Sequence, residues 1–159
     1  MSTNSSITSK IAKAIGTSLG FGFAPVAPGT FGALFGSLTY IAMVQYTSLP
    51  IDYVLIGLTV LFTLMGTWAC AQLEGEWGHD PSRVVIDETI GIYITYLFMP
   101  FSWTNVVLGF VLFRAFDIIK PLGVKAIDTK LHSPFSVMLD DILAGVYAFL
   151  TLQAILYFI

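Results

Sequence analysis

Four long stretches without a charged residue limit what this chain can fold into. They contain 38, 21, 25 and 18 residues and cover positions 14–51, 53–73, 89–113 and 142–159. A helix needs about 20 apolar residues to cross the hydrocarbon core of a bilayer. Only 11% of the 159 residues are charged, against roughly 25% in ordinary soluble domains. The sequence therefore predicts a polytopic membrane protein, with a small soluble domain of buried helices as the alternative.

The apolar segments predict an all-α fold in one domain, residues 1–159, with about five membrane-embedded helices in residues 31–159. The predicted helices cover residues 31–47, 53–73, 84–99, 104–119 and 138–159. The third and fourth are about a turn or two shorter than a full crossing. They either cross the membrane or re-enter it as a hairpin.

The first 19 residues predict an amphipathic helix at the membrane surface. An isoleucine or leucine recurs at every fourth position from Ile7 to Leu19, while Lys10 and Lys13 lie elsewhere on the helix. Such a helix suits an anionic membrane face. Packing against the bundle is the alternative.

Residues 20–30 are rich in Gly and Pro, which break regular structure. The residues alone favour a re-entrant or interfacial turn that leads into the next helix. A loop whose backbone amides approach a phosphate closely is the alternative. Gly32 and Gly36 follow as a G-x-x-x-G pair, which allows close packing of helices in a membrane.

The Lys and Arg residues set the expected orientation. With five crossings, all seven of them lie at or near one side of the membrane. The positive-inside rule makes that side cytoplasmic.

Charged residues from distant parts of the chain fall at this same side. They are Asp80, Asp87, Glu88, Arg114, Asp117, Lys120, Asp140 and Asp141. Charge at the end of an apolar segment is costly, so it usually marks a functional site. Two of these helices carry small residues on the face of their acids, Gly91 and Gly145 among them, and these would let the helices approach closely.

Carboxylates that meet next to basic side chains suggest phosphoryl chemistry. Carboxylate oxygens are hard ligands that suit Mg²⁺, which commonly bridges to substrate phosphates. Arg and Lys can hold phosphate oxygens, and Arg can do so with two hydrogen bonds. At a membrane surface this combination points to a phosphorylated lipid head group.

Each charged group also has a structural interpretation. Arg114 and Asp117 can form an intrahelical i, i+3 pair. The acidic pairs at 87–88 and 140–141 can cap the N-termini of helices. The functional interpretation depends on several costly charges arriving together.

Several other kinds of protein are excluded by composition and motif. Cys70 is the single cysteine, so an internal disulfide or a cysteine-cluster metal site is excluded. Glu76 stands where the C-x₅-R motif of a cysteine phosphatase would need Arg. No basic stripe with interleaved aromatic residues indicates a nucleic-acid partner.

The chain resembles the phosphatidylglycerophosphatase A family in four blocks that occur in order. These are GFGFAPVAPGTFG, VVIDETIG, FRAFDIIKP and MLDDILAG, within about residues 18–150. The resemblance implies a multi-pass enzyme of the bacterial inner membrane whose active site faces the cytoplasm. It also implies hydrolysis of phosphatidylglycerophosphate to phosphatidylglycerol and phosphate, with Mg²⁺ as the cofactor. The identity of the lipid rests on the resemblance alone.

The resemblance also assigns roles to residues. The expected catalytic carboxylates are Asp87, Glu88, Asp117 and Asp141, and the expected metal ligands are Asp87, Glu88, Asp140 and Asp141. The expected substrate-binding residues are Gly29, Thr30, Arg114 and Lys120. In this interpretation Asp117 orients Arg114. Leu122 follows Lys120-Pro121 where family members have a second Pro or an aromatic residue, so the resemblance does not extend to the shape of this loop.

Two other function classes stay open at this point. A lipid phosphotransferase would use a similar acidic site with an alcohol acceptor. A small transporter would also contain intramembrane acids, but near the middle of the membrane. The expected partners are the lipid substrate and membrane lipids; the sequence does not predict an oligomeric state.

Overall fold

The computed structural model describes residues 3–79, 81–120 and 133–158. Within these ranges the chain has six α-helices, one 3-10 turn and no β-strand, which confirms the predicted all-α fold. The helices are α1 (Thr3–Gly16), α2 (Pro28–Tyr46), α3 (Ile51–Trp77), α4 (Ile86–Thr95), α5 (Trp103–Ile119) and α6 (Pro134–Phe158). The 3-10 turn, Phe21–Phe23, lies between α1 and α2.

Helix α4 is the centre of the bundle. Nine of its ten residues are buried, because α2, α3, α5 and α6 all pack against it. Ten residues rise about 15 Å, which is half of the roughly 30 Å hydrocarbon core. The predicted helix 84–99 is therefore too long at its C-terminal end, and α4 is a short core helix.

Glycines allow the neighbouring helices to approach α4. A β-carbon added to Gly32 of α2 would lie 2.5 Å from the carbonyl oxygen of Val85, and Gly36 contacts α4 one turn further on. A β-carbon added to Gly145 of α6 would lie 2.7 Å from the carbonyl oxygen of Gly91. The predicted close packing at these small residues is confirmed.

Among the described residues, two helices are long and apolar enough to cross a membrane. They are α3, with 27 residues, and α6, with 25. Helix α3 extends beyond its predicted bounds, 53–73, at both ends, and α6 begins before its predicted bounds, 138–159. Helix α6 begins at Pro134, and α2 likewise begins at Pro28 rather than at residue 31. Proline suits the first helical position, because its fixed φ is helical and its missing N–H would have no intrahelical partner there.

Helix α1 packs against the bundle, which is the alternative predicted for the N-terminal segment. Ala12 is fully buried in the contact with α3, and Lys13 Nζ lies 2.5 Å from Glu76 Oε1. This contact accompanies the continuation of α3 to Trp77, four residues beyond the end predicted at residue 73. On the other side of α1, Ile7 and Ile11 are exposed. The helix thus packs on the bundle and presents apolar side chains outward.

Candidate active site

A cavity of about 330 Å³ lies where the N-termini of α2 and α4 meet the C-terminus of α5. Seven charged residues that the sequence placed at one side of the membrane line it. They are Asp87, Glu88, Arg114, Asp117, Lys120, Asp140 and Asp141. Asp80, the eighth, lies outside the described residues. Charges separated by more than fifty positions in the chain thus meet in one cavity.

Asp87 and Glu88 occupy the first turn of α4. The carbonyl oxygen of Gly16 accepts a hydrogen bond of 2.8 Å from the Val85 amide and so fixes the start of this helix. Asp87 Oδ1 accepts one of 3.1 Å from the Glu88 amide. Carboxylates in a first turn are stabilised by the helix dipole. Val85, not Asp87, occupies the N-cap position, so only the favourable interaction with the dipole remains of the capping interpretation.

Asp87, Glu88 and Asp141 form an acid trio. Each contributes one carboxylate oxygen to a set in which all three atoms lie within 4.8 Å of one another. Asp87 and Asp141 are buried, with 7% and 4% of their surface exposed. Oε2 of Glu88 is buried and accepts no hydrogen bond from the described residues. Carboxylates this close repel one another unless a cation or protons compensate their charge.

Arg114 links α5 to the acid trio. Its Nη1 lies 2.6 Å from Asp117 Oδ2 and 4.0 Å from Glu88 Oε1, and all three side chains are largely buried. The expected i, i+3 pair is present. The contact with Glu88 also connects two helices, so Arg114 does more than stabilise its own helix.

Lys120 contacts Asp140 across the cavity, from its Nζ to Oδ2 of the carboxylate. Lys120 follows α5 with a left-handed backbone, φ 48°, and its amide still donates to the Phe116 carbonyl. Asp140 and Asp141 lie in the second turn of α6, because that helix begins at Pro134. The interpretation of these two acids as N-terminal caps is therefore wrong. Asp140, the fourth expected metal ligand, lies outside the acid trio.

The other two expected substrate-binding residues lie in the first turn of α2, not in a loop. Gly29 lines the cavity, and a β-carbon added there would collide with Glu88 Oε1 and lie 3.2 Å from Arg114 Nη1. Thr30 is not among the described residues that line the cavity, and its amide donates to the Ala27 carbonyl at 2.9 Å. Gly29 therefore gives the acidic and basic side chains the room they occupy.

Ser82 also lines the cavity but was not predicted from the sequence. It precedes the acidic block by five residues, in the segment that leads into α4. A polar residue directly before a block of charged residues is the only signal that could have indicated it.

Comparison with known proteins identifies relatives along almost the whole chain. The sequence model of the family described as Phosphatidylglycerophosphatase A matches residues 14–156. A Bacteroides thetaiotaomicron protein with the provisional name phosphatidylinositol-3-phosphatase is 48% identical over 142 residues, 86% of this chain and 87% of the relative.

Two further relatives carry the name Phosphatidylglycerophosphatase A. The Haemophilus influenzae protein is 35% identical and the Escherichia coli protein 37% identical. The alignments cover 87% and 88% of this chain, and 84% and 78% of the relatives. No solved structure matches the chain. The chain belongs to the phosphatidylglycerophosphatase A family of phosphatases.

Proposed function

We propose that this enzyme is a Mg²⁺-dependent phosphatase that converts phosphatidylglycerophosphate to phosphatidylglycerol and phosphate in phospholipid biosynthesis. The acid trio beside Arg114 is the observation that carries this proposal. It places oxygen donors and a guanidinium in one cavity, which is the combination that phosphoryl transfer requires. Two family relatives carry the name of this activity.

The residues of the cavity fit a magnesium ion. Asp87, Glu88 and Asp141 offer only oxygen donors, which Mg²⁺ prefers. The buried Oε2 of Glu88, which lacks a hydrogen-bond donor among the described residues, favours a cation nearby. When bound, the ion would neutralise charge on the phosphate oxygens and lower the pKa of a water molecule. Asp140 would act through Lys120, rather than as a fourth ligand.

The basic side chains bind and orient the phosphate. Arg114 is held by Asp117 at 2.6 Å, and Lys120 by Asp140, so both cations are positioned before substrate arrives. In the overall reaction a water oxygen joins phosphorus and the bond from phosphorus to the glycerol oxygen breaks. The leaving oxygen receives a proton, and the carboxylates of the cavity are the groups that can move it.

The location proposed for this site is the cytoplasmic face of the bacterial inner membrane, in a bundle of five membrane-embedded helices. Helices α3 and α6 have the length and hydropathy of membrane spans. Tyr46, Tyr53 and Trp103, at the helix ends away from the cavity, are 83%, 76% and 61% exposed, as expected of aromatic residues at an interface. The acids lie at one end of the bundle, which disfavours a transport site at the middle of the membrane.

Phosphatidylinositol 3-phosphate is a second candidate substrate. The relative at 48% identity carries the name of that activity. Both lipids present a phosphomonoester for hydrolysis and a phosphodiester that joins the head group to diacylglycerol. The acid trio and Arg114 would act on the monoester of either lipid.

The test is phosphate release from each lipid in neutral detergent micelles, with and without Mg²⁺. We expect the wild type to release phosphate only with Mg²⁺, and Asp141→Asn and Arg114→Ala to lose most of that activity. Glu74→Gln is the matched control, since Glu74 lies on α3 outside the cavity. Full activity in both cavity variants would refute the assignment of the site. The rates at which the wild type releases phosphate from the two lipids decide which of them is the substrate.

A further inference from the structure

A second cavity, of about 390 Å³, adjoins the acidic cavity. The two share the lining residues Pro28 and Ser82, so they are neighbours. Arg83 and the backbone-rich segment 22–25 line the rest of the second cavity. No carboxylate is among the described residues that line it, in contrast to the first.

The position of Arg83 is fixed by two contacts. Its guanidinium carbon lies 5.9 Å from the centroid of the Trp77 ring, a cation–π distance. Its carbonyl oxygen lies against Gly22 so closely that a β-carbon at Gly22 would collide with it. The side chain of Arg83 is nevertheless exposed. It is therefore held in place and accessible to a ligand.

The charges of the acidic cavity leave a second anion without a partner there. Arg114 and Lys120 each lie against a carboxylate, and five carboxylates line that cavity in all. A head group that carries both a phosphomonoester and a phosphodiester brings two separate anions. The diester would be repelled by the acids and needs a cation outside them.

We propose that Arg83 and the segment 22–25 form a subsite for the phosphodiester of the lipid, next to the site that hydrolyses its phosphomonoester. This inference rests on the proposed function and deepens it. The diester is common to phosphatidylglycerophosphate and phosphatidylinositol 3-phosphate, so the subsite serves either substrate. Arg83 is here a substrate-binding residue that contacts a part of the lipid away from the reacting phosphorus.

The experiment compares Arg83→Gln with Lys10→Gln in the full-length protein in neutral detergent micelles. Lys10 is an exposed cation of α1, so the control removes the same charge elsewhere. We measure kcat and KM with phosphatidylglycerophosphate and with phosphatidylinositol 3-phosphate. We also measure inhibition by two products, phosphatidylglycerol, which retains only the diester, and inorganic phosphate, which lacks it.

A hydrogen-bonded charge pair is worth about a factor of ten in binding. We expect Arg83→Gln to raise two constants by about tenfold. One is KM for whichever lipid the wild type hydrolyses, and the other is the inhibition constant of phosphatidylglycerol. The inhibition constant of inorganic phosphate and kcat stay unchanged, and Lys10→Gln changes none of these values.

Two results overturn the subsite. One is equal inhibition by phosphatidylglycerol in Arg83→Gln and the wild type; the other is a parallel loss of affinity for inorganic phosphate, which would indicate a structural role. Failure of the proposed function looks different, because then the wild type itself releases no phosphate from either lipid, and the subsite falls with it.

Discussion

Gly145 of α6 lies against the backbone of Gly91 of α4, so that a β-carbon on Gly145 would stand 2.7 Å from the Gly91 carbonyl oxygen. Asp87 precedes Gly91 by four residues, and Asp141 precedes Gly145 by four. Residues four apart lie on the same face of a helix, one turn from each other. The contact between the two glycines therefore sets the separation of two carboxylates of the acid trio.

The first prediction concerns this contact. Gly145→Ala forces α4 and α6 apart, because the new methyl group would also lie 3.0 Å from the Gly91 Cα. We expect a loss of about 1–3 kcal/mol in the free energy of unfolding and a larger proportional loss of phosphatase activity. Thermal unfolding in detergent and phosphate release measure the two effects.

Gly57→Ala is the control for this prediction, because a β-carbon at Gly57 of α3 meets nothing within 4 Å. We expect it to keep activity and to be at least as stable as the wild type, since alanine favours a helix. Wild-type activity in Gly145→Ala would show that the spacing of the two helices does not matter for the site.

The second prediction concerns Arg114 and Asp117, whose charged atoms are 2.6 Å apart. If Asp117 acts by orienting Arg114, Asp117→Asn lowers kcat/KM by about tenfold. The same substitution then has little further effect in the Arg114→Ala background. A double-mutant cycle on phosphate release measures this coupling. Independent, multiplicative losses would assign Asp117 a separate catalytic role.

The sequence was enough to predict that the charged residues lie at the same end of the bundle, because this follows from which helix ends share one side of a membrane. The length of α4 was not predictable in this way. Asp87 and Glu88 are the only charged residues in the largely apolar segment 84–99, yet the helix ends at Thr95. Phe98 then adopts a left-handed backbone, φ 55°, and its amide donates to Asp52 Oδ1 on α3 at 2.7 Å. Because this hydrogen bond joins residues 46 positions apart, no local sequence pattern around Phe98 could predict where the helix ends.

The distances between side chains of the site could likewise not be predicted from the sequence. Helical spacing placed Arg114 and Asp117 on one face, as the structure confirms. Spacing within one helix says nothing about contacts between helices, such as that of Arg114 with Glu88. The family resemblance made both Asp140 and Asp141 expected metal ligands. Adjacent residues point about 100° apart on a helix; Asp141 belongs to the acid trio, and Asp140 contacts Lys120.

The third prediction concerns Gly29. Gly29→Ala would drive a methyl group into the space of Glu88 Oε1 and towards Arg114 Nη1. We expect activity to fall by about 100-fold, as for a displacement of about 1 Å in a catalytic group, while thermal unfolding changes little. Gly75→Ala is the matched control, since a β-carbon there meets nothing within 4 Å. Full activity in Gly29→Ala would show that the space at Gly29 is not needed by the site.

The fourth prediction separates the acid trio from the phosphate-binding cations through their dependence on Mg²⁺. If Glu88 helps to hold the ion, Glu88→Gln raises the Mg²⁺ concentration for half-maximal activity by at least about tenfold. If Lys120 holds the phosphate, Lys120→Gln raises KM for the lipid and leaves the Mg²⁺ requirement unchanged. Removal of divalent ions with a chelator should abolish activity, and added Mg²⁺ should restore it. The two variants act as controls for each other, because both remove one charge from the same cavity. An identical Mg²⁺ titration in both variants would contradict a role of Glu88 in holding the ion.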